Sequence, residues 1–173
     1  YPWGPGEVAR YNSINTFILS AAMDSFLKSR EGPDADIWER VLTEVYRPIG
    51  VMYAPIMRTV EPDGNPGLPP FGYGLYPNID DVAKLSILFQ TGGRHQGQQL
   101  LHASRLAEAM FRTDSAGLPT GELSEDGELT YHLAFNGLPY RGEDGRSHRI
   151  AMSTGFGGKN WVVLPDGMSA VRL

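Results

Sequence analysis

The stretch SHRIAMSTGFGGKNWVVLPDGMSAVRL, Ser147 to Leu173, decides the fold class. Three short runs rich in β-branched and aromatic residues, SHRIAMS, KNWVVLP and MSAVRL, are separated by the turn signals TGFGG and PDG, a pattern that predicts antiparallel strands joined by tight hairpins. Working backwards, RGEDGR and the run LTYHLAFNGL extend the same texture, so everything after Ser124 reads as an antiparallel meander.

The first two thirds read differently. From Ser13 to Lys28 apolar residues fall at almost every helical angle, which predicts a helix buried on most sides, capped by Ser13 or Asn15. After the breaker EGPDAD, Ile37, Trp38, Val41, Leu42, Val45 and Tyr46 mark an amphipathic helix ended by Pro48 and Gly50. Residues 60–76, VEPDGNPGLPPFGYGLY, carry too many Pro and Gly for a helix or central strand and predict a long irregular loop. A third helix starts at Asn78 or Asp80 and stops at Gly92–Gly93; a fourth lies around Ser104 to Arg112. The expected class is therefore α+β: a mainly helical part over 1–125 and an antiparallel β part over 126–173.

Composition narrows the chemistry. The 173 residues carry 15 Lys and Arg against 20 Asp and Glu, and the basic residues are scattered, which argues against a nucleic-acid partner. No apolar run approaches the length of a membrane span. With no cysteine, disulfides, thiolate catalysis and cysteine-held zinc are excluded. His95, His102, His132 and His148 lack ligand spacing, so neither a metal nor another cofactor is expected. GFGG lies between strands instead of opening a helix, and neither GxxxxGK nor GxSxG occurs. One Ser-x-x-Lys exists, Ser25 to Lys28, but it falls near the carboxyl end of its helix on a stripe with Ile14, Ile18 and Ala21, and we read it as part of a packed face.

Taken together, PGEVARYNSINTFILSAAM, VYRPIGV, GYGLYPNIDDVAKLSILFQTGGRHQGQQLL and STGFGGKNWVVLPDGMSAVRL cover nearly the whole chain in order. They resemble segments of the serine β-lactamase and penicillin-binding-protein superfamily, specifically its class C-like esterases. The resemblance implies a β-lactamase-like fold, here incomplete, and acyl transfer to water through an acyl-enzyme. It makes Tyr11 the catalytic phenol that relays protons to and from a serine, and puts Ser13 where the family has a substrate-binding asparagine. A hydroxyl reaches less far than an amide, which favours ester or other acyl substrates over β-lactams. The last family motif matches either Ser153-Thr154-Gly155 or, preferably, Phe156-Gly157-Gly158, with Lys159 supplying a backbone amide to an oxyanion on a strand edge.

The family's Ser-x-x-Lys precedes the tyrosine, whereas Ser25 follows Tyr11; the chain also begins at Tyr1 and not at Met, so it reads as an excerpt without its nucleophile. Expected partners are a small ester, amide or β-lactam substrate and the missing amino-terminal segment or a complementing chain. The family setting is periplasmic or secreted, though the residues themselves suit the cytoplasm equally. The alternative is a catalytically silent relative that serves as a binding module, and a penicillin-binding D-alanyl peptidase is a third possibility.

Overall fold

The computed structural model describes residues 2–143, 145–155 and 157–172. Among the described residues, four α-helices are accompanied by a two-stranded and a six-stranded antiparallel sheet, so the chain is an α+β protein. It divides into two compact units, Tyr11–Lys84 and a second made of Tyr1–Arg10 with Leu85–Leu173, the division falling inside the third helix.

In the first unit, α1 (Ser13–Glu31) starts from Asn12, whose Oδ1 accepts from the Ile14 amide at 3.0 Å. Neither Ser13 nor Asn15 is the cap: Asn12 alone has the extended backbone that aims a side-chain oxygen back at the first turn. The helix is not buried on most sides. Ile14, Ile18, Leu19, Met23 and Phe26 are exposed, while Ser20 and Asp24 are its buried residues.

A second helix, α2 (Ile37–Val41), is capped by Asp36, which accepts from the Trp38 and Glu39 amides at 2.8 and 3.0 Å. It passes into a π-helical turn, Leu42–Tyr46, whose extra residue per turn lets Trp38 meet Tyr46 edge-on at 5.5 Å. Ile37, Trp38, Ile49, Val51 and Val82 form the buried apolar centre of this unit. The Pro/Gly-rich segment has no regular strand, as expected, yet it is pinned: Ile56 bridges to Leu75 and Val60 to Pro66. Arg58 reinforces it, donating to the Gly67 carbonyl at 2.6 Å and pairing with Asp36.

The third helix, α3 (Ile79–Gln90), opens with a reciprocal capping box. Asp81 donates its amide to Asn78 Oδ1 at 2.8 Å, and the Asn78 amide returns to Asp81 Oδ2 at 3.2 Å, so Asn78 and not Asp80 is the cap. Its glycine stop is as expected, with the Gly93 amide on the Leu88 carbonyl at 2.8 Å.

The segment after α3 forms a small hairpin, β1 (Arg94–His95) with β2 (Gln98–Gln99), before α4 (Ala103–Ala109). The large sheet follows in simple sequential order: β3 (Leu118–Ser124), β4 (Gly127–His132), β5 (Phe135–Arg141), β6 (Ser147–Gly155), β7 (Lys159–Val163) and β8 (Ser169–Arg172). The strands thus begin at Leu118, one strand earlier than the change of texture after Ser124, and the expected boundary at 125 falls in the β3–β4 turn. LTYHLAFNGL is not one run but two strands, because Leu133 and Ala134 turn the chain between the paired His132 and Phe135.

Leu106, Ala109 and Met110 pack on Ala151 and Val163, with Phe89, Leu101, Phe111, Phe135 and Trp161 around them. Phe89 stacks on Trp161 at 5.1 Å, Phe135 meets both rings edge-on, and the indole nitrogen donates to Ser86 Oγ at 2.9 Å. Gly137 belongs to this packing. A Cβ there would lie 2.6 Å from Thr130 Oγ1 and 2.7 Å from the Phe111 ring. The amino-terminal segment joins the edge of the sheet through the Ala9 amide on the Pro119 carbonyl and Arg10 on the Thr120 carbonyl, each at 2.8 Å.

Candidate functional site

Tyr11 is the last residue before the Asn12 cap, so its ring is set by the entry of α1 and does not share the register of the helix. Tyr11 is 54 % exposed, and its hydroxyl donates to the Gly72 carbonyl at 3.2 Å. The contact joins residues 61 positions apart and explains a glycine in the Pro/Gly segment. A Cβ on Gly72 would collide with Thr16 Oγ1 and lie 2.9 Å from the Tyr11 hydroxyl. Thr16 is held in place by donating to the Ser13 carbonyl at 2.7 Å. Gly72 and Thr16 are the parts of this site that sequence reading missed; the density of Pro and Gly over 60–76 was the signal that this loop had a shape to keep.

Ser13 is the first residue of α1 and partly buried. Since Asn12 does the capping, the Ser13 side chain is not spent on the helix start. The Tyr11 and Thr16 hydroxyls with the Gly72 and Ser13 carbonyls therefore form one small cluster at the head of α1.

Ser25 and Lys28 lie at the other end of that helix. About 22 Å of helix separates Ser13 from Lys28 at 1.5 Å per residue. Ser25 is exposed, which corrects its placement in a packed face. Lys28 is turned to Asp24, with Nζ to Oδ2 at 2.8 Å, and that hydrogen bond holds its ammonium above the ordinary lysine range. A serine-activating lysine needs the opposite, a lowered pKa that frees its lone pair near neutrality. Ser25 and Lys28 are thus not arranged as a nucleophile and its base.

The second group of expected site residues lies in the other unit. Gly155 pairs with Lys159 across the β6–β7 hairpin, and Gly157 and Gly158 turn the chain at φ of 80° each. Phe156 lies outside the described residues. The Gly158 carbonyl accepts from Asn160 Nδ2 at 3.2 Å, and Lys159 is exposed. A Cβ at Gly157 or Gly158 would meet nothing within 4 Å, so left-handed backbone geometry, and not a close neighbour, is what requires glycine here. Both β6 and β7 are interior strands, so these glycines occupy a turn and not an open strand edge. The competing triplet Ser153-Thr154-Gly155 lies within β6, with Thr154 Oγ1 accepting from Asn136 Nδ2 at 3.2 Å.

Of the histidines, His132 is hydrogen-bonded to Glu108 at 2.9 Å and tilts against Phe111. Arg105, and then His132, hold the Glu108 carboxyl below its ordinary range. Among the described residues no group of three or more His, Asp and Glu side chains could hold a metal ion, and no helix is long and apolar enough to cross a membrane. Neither protein-family models nor curated proteins match the sequence.

Proposed function

We propose that the chain is a segment of a β-lactamase-like serine hydrolase that transfers an acyl group to water, with Tyr11 as proton relay. The observation that carries this reading is the phenol itself: half exposed, donating to the Gly72 carbonyl, and presented at the head of a helix. A tyrosine so held keeps its hydroxyl at a fixed point while leaving room on the solvent side for a reacting group, as general acid–base work requires. The ordered resemblance of the segments described above supports the family part of this reading. The sequestering of Lys28 by Asp24 supports a nucleophile from outside these 173 residues. Ser13, with its side chain not committed to capping, is the group on this helix best placed to meet a substrate carbonyl or ester oxygen.

The test compares the 173-residue chain with a longer form of the polypeptide that carries an upstream Ser-x-x-Lys, using p-nitrophenyl butyrate and a chromogenic β-lactam. We expect turnover by the longer form only, reduced by about 100- to 10,000-fold in Tyr11→Phe, the usual loss for a proton-transfer group. Turnover by the short chain that disappears in Ser25→Ala, or full activity in Tyr11→Phe, defeats the proposal. A second reading, a silent relative acting as a binding module, is favoured by the apolar face of α1, where Ile14, Ile18 and Phe26 stand in solvent. Inactivity of the longer form toward ester, amide and β-lactam alike decides for it.

A further inference from the structure

The unit that holds the large sheet contains a cleft of about 360 Å³ between the segment following α4 and the β5–β6 and β7–β8 turns. Its apolar lining includes Met110, Phe111, Val163 and Pro165, of which Met110 and Val163 are each 3 % exposed. Its polar lining includes Arg112, Asp114 and Arg149. The volume is that of a small-molecule site.

The two guanidiniums are fixed in place without being neutralised. Arg112 donates from Nη2 to Gln90 Oε1 at 2.6 Å, and Gln90 is itself clamped by donating to the Leu164 and Met168 carbonyls at 2.9 and 2.7 Å. Arg149 donates from Nη1 to the Glu128 and Gly137 carbonyls at 3.1 and 3.3 Å. Every one of these acceptors is uncharged. Asp114 is the acidic member of the lining, and no salt bridge joins it to either arginine among the described residues. Two arginines against one aspartate leave the lining with a formal charge of +1.

We propose that this cleft binds a small organic carboxylate with an apolar body. Arginine held by neutral partners keeps both its charge and spare N–H donors, and its planar fork matches the two oxygens of a carboxylate. The Met110, Phe111, Val163 and Pro165 lining takes the hydrocarbon part, which distinguishes the expected ligand from inorganic anions. The site is separate from the Gly157–Lys159 turn. The cleft uses the Ser147–Arg149 end of β6 and the turn follows Gly155 at its other end, about 20 Å away at 3.3 Å per strand residue. The proposal is independent of the hydrolase reading.

In the test, the ¹⁵N-labelled 173-residue chain is titrated with benzoate, with benzamide as its neutral counterpart, and with inorganic phosphate as an anion lacking an apolar body. Benzoate is expected to shift the amides of Arg112 to Ser115 and Ser147 to Arg149 in a saturable way. Benzamide and phosphate should each bind about tenfold more weakly or worse, the factor that one charge-assisted hydrogen bond supplies. Arg112→Gln, at an exposed position, should weaken benzoate by about tenfold, and Asp114→Asn should strengthen it, since a carboxylate beside the ligand is repelled. Absence of saturable shifts, benzamide or phosphate binding as tightly as benzoate, or unchanged benzoate affinity in Arg112→Gln overturns the proposal. The three-ligand comparison on the unaltered chain stands even if a variant fails to fold.

Discussion

Asp36 shows how one side chain can serve two structures. It caps α2 through two backbone amides and pairs with Arg58, which in turn grips the Gly67 carbonyl of the Pro/Gly segment. Burial opposes ionisation of Asp36, but Arg58 and the Glu39 and Trp38 amides outweigh it and hold the carboxyl below its ordinary value. Because folding lowers this pKa, the stabilisation is complete above the ordinary carboxylate range near pH 4 and is lost as pH falls through the folded-state value. Asp36→Asn is therefore expected to cost about 1–3 kcal/mol near neutral pH, since it removes one partner of a partly buried ion pair. Urea unfolding of both proteins should show the difference shrinking as pH falls below the ordinary carboxylate range and through the lower folded-state value of Asp36, beneath which both side chains are neutral. A pH-independent difference would mean that the cap, and not the ion pair, carries the effect. The ion pair was not legible in sequence: Asp36 stands in the breaker EGPDAD, and nothing local connects it to an arginine 22 residues later.

At the scale of elements, legibility followed the local chemistry of turns and caps. The hairpins at RGEDGR, TGFGG and PDG were readable because their glycines announce positive φ. The β4–β5 hairpin was not, because Leu133 and Ala134 make its two-residue turn at φ of 43° and 72° without Gly, Asn or Asp. Each pays the steric cost that glycine avoids. Leu133→Asn with Ala134→Gly is expected to stabilise the chain by about 1–2 kcal/mol, seen as a rise of a few degrees in the thermal midpoint. An unchanged or lower midpoint argues that the Leu133 side chain contributes packing despite its exposure. Strand β3 was missed because Pro119 and Gly121 interrupt its pattern, and its register does shift between Pro119 and Leu123. The Tyr11 side of the candidate site was legible only as a residue type in a familiar order of motifs; its support by Gly72 and Thr16 depends on contacts far apart in sequence, which no local pattern encodes.

For the molecule as a whole, the informative departure is α1. Its apolar residues predicted burial, yet Ile14, Ile18, Leu19 and Phe26 are each more than half exposed. Burial needs a partner surface as well as an apolar helix, and periodicity reports only the helix. A contiguous apolar face in water favours self-association. Ile18→Lys with Phe26→Lys should raise the concentration at which the chain stays monomeric in light scattering, with little effect on its thermal midpoint, because neither side chain is in a core. A large loss of stability would show that this face is packed in solution.

The aromatic pairs described above also divide the chain optically. Trp38 stands edge-on to Tyr46 in one unit, while Trp161 is stacked on Phe89 in the other. Each indole is fixed in a different asymmetric ring environment, which should give it its own near-ultraviolet dichroism and emission. With the third tryptophan, Trp3, replaced by phenylalanine, the protein becomes a two-colour recorder of its own unfolding: whether both halves melt in one transition or in two can be read from its native chromophores, without any added label.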